Sequence, residues 1–112
     1  MSIRKLITLV PVYFILMDVL AQATTISGTV VDKLIQSALE FANVQLLNLP
    51  DCSISKNTVT DHKGKFSFQS VTPGNFILRC TFIGYEKTNV PVTIKSNISK
   101  FNAGTIEIKK ST

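Results

Sequence analysis

The side chains with chemistry to offer are few and scattered. His62 is the only histidine, and it sits in the stretch Thr58 to Phe68, T-V-T-D-H-K-G-K-F-S-F. A histidine acting as a base or a metal ligand needs partners. No second histidine exists and no cysteine lies close by, so His62 reads as a solvated turn residue. Asp61 beside it suits a turn, because a short carboxylate bonds its own backbone two residues on. Cys80 falls in an apolar run on the same face as Phe76, Leu78 and Phe82, where a thiol behaves as a small hydrophobe. Cys52 falls in a polar loop, and positions so unlike each other argue against a bridge between the two. Tyr85, just after Gly84, reads as a corner tyrosine whose hydroxyl finds a backbone partner, rather than as a platform for a ligand. Asn97-Ile98-Ser99 fits the glycosylation triplet, which has meaning only in a eukaryotic secretory pathway. No H-E-x-x-H, C-x-x-C, G-x-S-x-G or phosphate-binding glycine loop occurs. The expectation is therefore no enzyme and no cofactor, with no residue assigned a catalytic, cofactor-binding or metal role.

The elements that must position these residues are strands. In the central stretch, Val59 lies between two threonines, Asp61 to Gly64 form a turn, and Phe66 and Phe68 share one face of Lys65–Gln69. Two strands joined by four residues containing glycine predict a β-hairpin at the core, with Gly64 at positive φ. Thr25 to Asp32 is β-branched and strand-like. Lys33 to Phe41 is short and uncapped, which predicts a loop with one turn. Ala42 to Leu47 is a second strand, and Asn48 to Asn57, with Pro50, Asp51 and Ser53, has loop composition. Pro73-Gly74 centres a turn. Phe76 to Ile83 is a half-buried strand that Gly84 ends. Glu86 to Ile94 alternates at period two, and Pro91 marks it as an edge or a bulge. Ser96 to Lys100 is a polar loop, and Thr105 to Lys109 closes the chain with Ile106 and Ile108 inward. About seven short strands with turns every eight to twelve residues predict an all-β, antiparallel sandwich. A transmembrane barrel would need roughly 80 residues for strands alone. Phe66, Phe68, Leu78, Phe82 and Ile106 are expected inward, and Phe41 and Phe101 beside loops.

The first residues read as an address. Arg4 and Lys5 precede an apolar run from Leu6 to Met17, and Ala21-Gln22-Ala23 fits an A-x-A cleavage site. That is the pattern of a secretory signal peptide over residues 1–23. A spanning helix needs about 20 apolar residues, and Asp18 interrupts this run. Cleavage would leave residues 24–112 as one domain with ten basic and six acidic residues, a net charge of +4. A chain this short buries only about 60–65% of its unfolded surface. Its lysines stand singly apart from Lys109-Lys110, which argues against the clustered stripe of a nucleic-acid binder.

The order of motifs carries a further signal. I-S-G-T-V-V-D is followed by A-N-V-Q-L-L, T-D-H-K-G-K-F-S-F, V-T-P-G-N-F-I-L-R-C-T-F-I-G-Y-E and A-G-T-I-E-I. From Ile26 to Lys109 this resembles the carboxypeptidase regulatory-like domain, a transthyretin-like seven-stranded Greek-key sandwich. The likeness is closest to the version at the N-terminus of Bacteroidetes TonB-dependent outer-membrane receptors. The resemblance implies a non-catalytic attachment domain, exported to the periplasm and associated with the outer membrane. Its expected partners are envelope proteins: the receptor plug or barrel, or an associated lipoprotein. A plug would be expected after Thr112, so the chain reads as a truncated receptor, a fragment or a free-standing domain. The alternative is a free-standing adhesion or carbohydrate-binding module with a glycan as ligand. Transthyretin-like hydrolases need several histidines and a Y-R-G-S ending, and this chain ends K-K-S-T.

Overall fold

The computed structural model describes residues 23–112, and the expected signal segment lies outside them except for Ala23. Seven strands follow in order: β1 (Thr24–Asp32), β2 (Asn43–Asn48), β3 (Ile54–Val59), β4 (Lys65–Val71), β5 (Gly74–Thr81), β6 (Thr88–Ile94) and β7 (Lys100–Ile108). They form a three-stranded sheet, β4-β1-β7, and a four-stranded sheet, β3-β2-β5-β6. The all-β sandwich expected from the strand spacing is the observed fold. Four of the five ladders are antiparallel, and β1 and β7 pair in parallel, from Thr25 opposite Lys100 to Asp32 opposite Ile108. Parallel pairing brings the ends of the first and last strands to the same end of the molecule.

Alternation along the strands builds the core. Ile26 and Val30 of β1, Val44 and Leu46 of β2, and Leu78 and Cys80 of β5 are fully enclosed between the sheets. Each such aliphatic side chain contributes about 1.5–3 kcal/mol on burial. Phe66 and Phe68 lie among them with ring centroids 6.0 Å apart and planes tilted 59°. Gly28 makes room for them, since a Cβ there would stand 2.7 Å from the Phe66 ring. Beyond Phe68 the phase shifts by one: Ser70 takes φ 59° and Val71, not Ser70, points inward. Among the described residues, every member of this buried cluster lies between Ile26 and Ile108.

The stretch expected to be a hairpin is a corner instead. β3 pairs with β2 and β4 with β1, so Thr60 to Gly64 carries the chain from one sheet to the other. The local signals for the turn are sound: Gly64 takes φ 74°, and its N–H donates to the Asp61 carbonyl at 2.9 Å. What redirects the strands is Thr60, 1% exposed, whose hydroxyl accepts from the Ala42 amide at 2.9 Å and donates to the Leu39 carbonyl. Val30 donates its N–H to the Gly64 carbonyl at 2.8 Å. Distant strands thus hold both sides of the turn.

Other boundaries move for physical reasons. β3 begins at Ile54, inside the stretch read as a loop, because it is an edge strand held by its ladder to β2, exposed on one face and no more than half-buried on the other. β7 begins at Lys100, inside a polar stretch, for the same reason: its first half is held by β1 rather than by burial. Phe82 is half-buried against the core, one residue past the end of β5. Pro91 sits in β6, which is an edge strand as its proline requires. Lys33 to Phe41 forms turns and an isolated bridge, with no helix.

Candidate functional site

The strand directions gather four segments at one end of the sandwich: the β1–β2 loop (33–42), the corner (60–64), the β5–β6 loop (82–87) and the tail (109–112). Asp32 and Tyr85 join the two sheets there. Asp32 ends β1, and its Oδ1 accepts the amides of Leu34 at 2.8 Å and Ile35 at 3.1 Å, which folds the loop into a turn. Its Oδ2 accepts the Tyr85 hydroxyl at 2.5 Å, across 53 residues of sequence. Tyr85 is placed by the turn after β5, where its N–H donates to the Phe82 carbonyl at 3.0 Å and its ring meets Phe82 edge-on at 5.5 Å. The tail closes the arrangement. Glu86 donates its amide to the Lys109 carbonyl at 2.7 Å, and Ser111 donates to the Gly84 carbonyl at 2.8 Å.

The Tyr85 hydroxyl bond, with the Ile35 and Leu34 amides and nearby Lys110, holds the Asp32 carboxyl below its ordinary range against the opposing effect of burial. The same bond, with burial and the negative charge of Asp32, raises Tyr85. The hydroxyl therefore keeps its proton and the carboxylate stays charged, which suits a lock and not a proton-transfer pair. The backbone partner expected for Tyr85 is thus a carboxylate. Neither residue signalled the other, because they lie on different sheets far apart in sequence.

The remaining candidates fall out separately. Asp61 Oδ1 accepts the amides of Lys63 and Lys65, both at 2.9 Å, so it is the turn-former its type suggested. The Lys65 and Lys63 amides, together with the charges of His62 and Lys65, hold its carboxyl low, with desolvation opposing. His62 is exposed on the corner. Both cysteines are free: Cys80 is buried, its thiol pushed up to about 11 by desolvation, and Cys52 is exposed at the opposite end. Among the described residues no group of three or more His, Cys, Asp or Glu is placed to hold a metal ion. Among them, too, no helix is long and apolar enough to cross a membrane, which says nothing of strands.

Two kinds of surface remain. An open groove of about 610 Å³ lies on the outer face of the three-stranded sheet, lined by the polar side chains of Ser27, Thr29, Thr58, Lys65, Ser67 and Asn102. The loop end, by contrast, holds apolar side chains out in solvent: Ile83 is 95% exposed, Leu34 89%, Phe41 71% and Ile35 69%. Phe41 does so at φ 64°, an uncommon conformation for a bulky residue, with its amide donated to the Thr60 carbonyl at 3.0 Å.

Fold and surface together define a small β-sandwich module that presents one apolar end. The chain belongs to the CarboxypepD_reg-like domain family, which matches residues 26–111. Domains of this family are of a non-catalytic kind. No curated protein matches the chain. Among solved structures, the Bacillus anthracis TIE protein superposes with a TM-score of 0.66 at 21% identity, over 80% of this chain and 17% of that one. BcpA, the major pilin subunit of Bacillus cereus, gives 0.65 at 18% identity, over 80% and 31%. The shaft pilin SpaA from Lactobacillus rhamnosus GG gives 0.63 at 13% identity, over 80% and 48%. The matching region spans less than half the length of each of these proteins, and at these identities the likeness is one of fold.

Proposed function

We propose that this chain is a non-catalytic, exported accessory domain of an outer-membrane uptake system of the TonB-dependent kind, working in the periplasm by contact with other envelope components. The observation that carries the reading is family membership over residues 26–111 directly behind a secretory pattern in residues 1–23. The geometry supports it: the functional groups at the loop end are spent on one another, as Asp32 on Tyr85 and Asp61 on its own turn, while apolar side chains face outward. Cell fractionation with intact-mass measurement tests export. A species beginning at Thr24 in the envelope fraction is expected, and full-length chain confined to the cytoplasm overturns the reading. Sequencing past codon 112 tests the receptor context, where an in-frame plug and barrel are expected.

A second reading, a free-standing adhesion module, is favoured by the fold it shares with pilin subunits. A reading frame that closes at codon 112, with the protein recovered from the cell surface, decides for it.

A further inference from the structure

We infer that the loop end is a docking surface for an anionic lipid surface, entered by Leu34, Ile35 and Ile83 and held by Lys33, Lys109 and Lys110. This goes beyond the receptor reading and holds equally for a free-standing module. Scattered single apolar residues on a surface need no explanation. Here, among the described residues, the four most exposed large apolar side chains stand on two loops of one end. At 95% and 89% exposure, Ile83 and Leu34 hold their tips out in solvent at the rims of open grooves. Projecting aliphatic tips suit a penetrable interface, where an apolar element settles about 5–10 Å into the headgroup boundary.

Charge completes the match. Lys33, Lys109 and Lys110 line an open groove of about 410 Å³ with Leu34. Lys33 is fixed there because its amide donates to the Ile108 carbonyl at 2.9 Å. The tail's hydrogen bonds to Gly84 and Glu86 set Lys109 and Lys110 beside the loop that carries Ile83, so the cations border both apolar tips. Of the carboxylates beside them, Asp32 is 5% exposed and engaged by Tyr85 and two amides, and exposed Glu107 accepts from the Gln36 side chain. Glu40 and Glu86, both exposed, also lie at this end, beside Phe41 and the start of β6, and the proposed entry leaves those two segments out. The Asp32–Tyr85 lock makes the two loops one rigid unit, so little ordering entropy is lost on contact.

Co-sedimentation of residues 24–112, which carry the whole buried cluster of the described fold, with vesicles tests the assignment. Binding is expected to phosphatidylglycerol-containing vesicles and not to pure phosphatidylcholine. Leu34→Ser with Ile83→Ser should weaken binding by about tenfold per site, and Lys109→Glu with Lys110→Glu by about fivefold or more per lysine. The thermal midpoint should not move for the Leu34 and Ile83 pair, because both side chains are exposed, and should fall only slightly for the lysine pair, where the charge of Lys110 also steadies Asp32. Three outcomes overturn the proposal. One is no sedimentation with anionic vesicles. Another is binding that survives the Leu34 and Ile83 substitutions. The third is self-association without vesicle binding that those substitutions abolish, which would assign the end to a second copy of the chain.

Discussion

The two ends of the sandwich solve the same problem in opposite ways. Each must satisfy the backbone and hide the rim of the core where the strands stop. At the end carrying the 49–53, 72–73 and 95–99 turns, polar side chains fold back on their own loops. Asp51 Oδ1 accepts the amide of Ser53 at 3.2 Å and its hydroxyl at 3.0 Å, and Asn48 donates to the Ser53 hydroxyl at 3.1 Å; Thr24, at the start of β1, is the exception in reaching the Ile98 carbonyl. At the other end the bonds run between loops and between sheets, from Tyr85 to Asp32, from Phe41 to Thr60 and from Ser111 to Gly84. Leu34, Ile35, Phe41 and Ile83 are left outside. The first end is finished mostly by its own turns, with Leu49 and Ile54 less exposed at 42% and 60%. The second is a rigid platform whose apolar side chains have no partner within the described fold, and rigidity with unspent apolar surface is what a binding surface requires.

The largest effect should come from what both ends share. Phe68→Ala removes a buried ring, which typically costs about 3–5 kcal/mol, a large part of a small domain's stability. Phe101→Ala, at a half-buried ring of β7, should cost less. Denaturant melts of the two variants check the strand phase, and a parental midpoint for Phe68→Ala would refute it.

Glycines at the loop end sharpen the contrast next. At Gly64 a Cβ would stand 2.6 Å from the Val30 carbonyl oxygen as well as meeting φ 74°, whereas at Gly84 φ is 86° but nothing lies within 4 Å. Strain of this kind is on the order of 1–3 kcal/mol. Gly64→Val should exceed that range because backbone must move, and Gly84→Ala should stay at its lower end. Equal melting temperatures for the two would show that the corner is not clamped between sheets.

Acid separates the ends by a smaller margin. Asp32 and Asp51 both sit below the ordinary 3.8, Asp32 chiefly through the Tyr85 hydroxyl and Asp51 chiefly through the Ser53 amide. A depressed native value means that the unfolded chain binds protons first as pH falls. The stabilisation is therefore complete above pH 3.8 and lost as pH falls through the lower native value. Tyr85 runs the other way: raised above 10.0, it contributes fully below pH 10 and less as pH rises through its native value. Melts from pH 2 to 7 should show Asp32→Asn flattening the acid limb more than Asp51→Asn, since one bond joins the sheets and the other only closes a turn. Equal flattening would remove the distinction.

The smallest effect belongs to His62. His62→Ala at the exposed corner should leave the melting temperature unchanged, and loss of vesicle binding in that variant would move the docking surface toward the corner.

Much of the fold was legible in the chain itself, because alternation and turn chemistry are local. Phe66, Phe68, Leu78 and Ile106 announced their faces by period two, Asp61 and Gly64 announced their turn, and Pro91 announced an edge. Strands held by ladders rather than by buried side chains stayed silent, as with β3 and the first half of β7, since hydrogen bonding to a neighbour leaves no hydrophobic pattern. Partnership across the sandwich was also invisible. The sequence determined that Thr58 to Phe68 must turn, and only the tertiary structure decided that the turn joins two sheets, because buried Thr60 bonds to the 39–42 segment. Likewise the residue types at Asp32 and Tyr85 permitted many partners. Their meeting depends on the parallel run of β1 beside β7 and on the packing of the two sheets, which no local preference encodes.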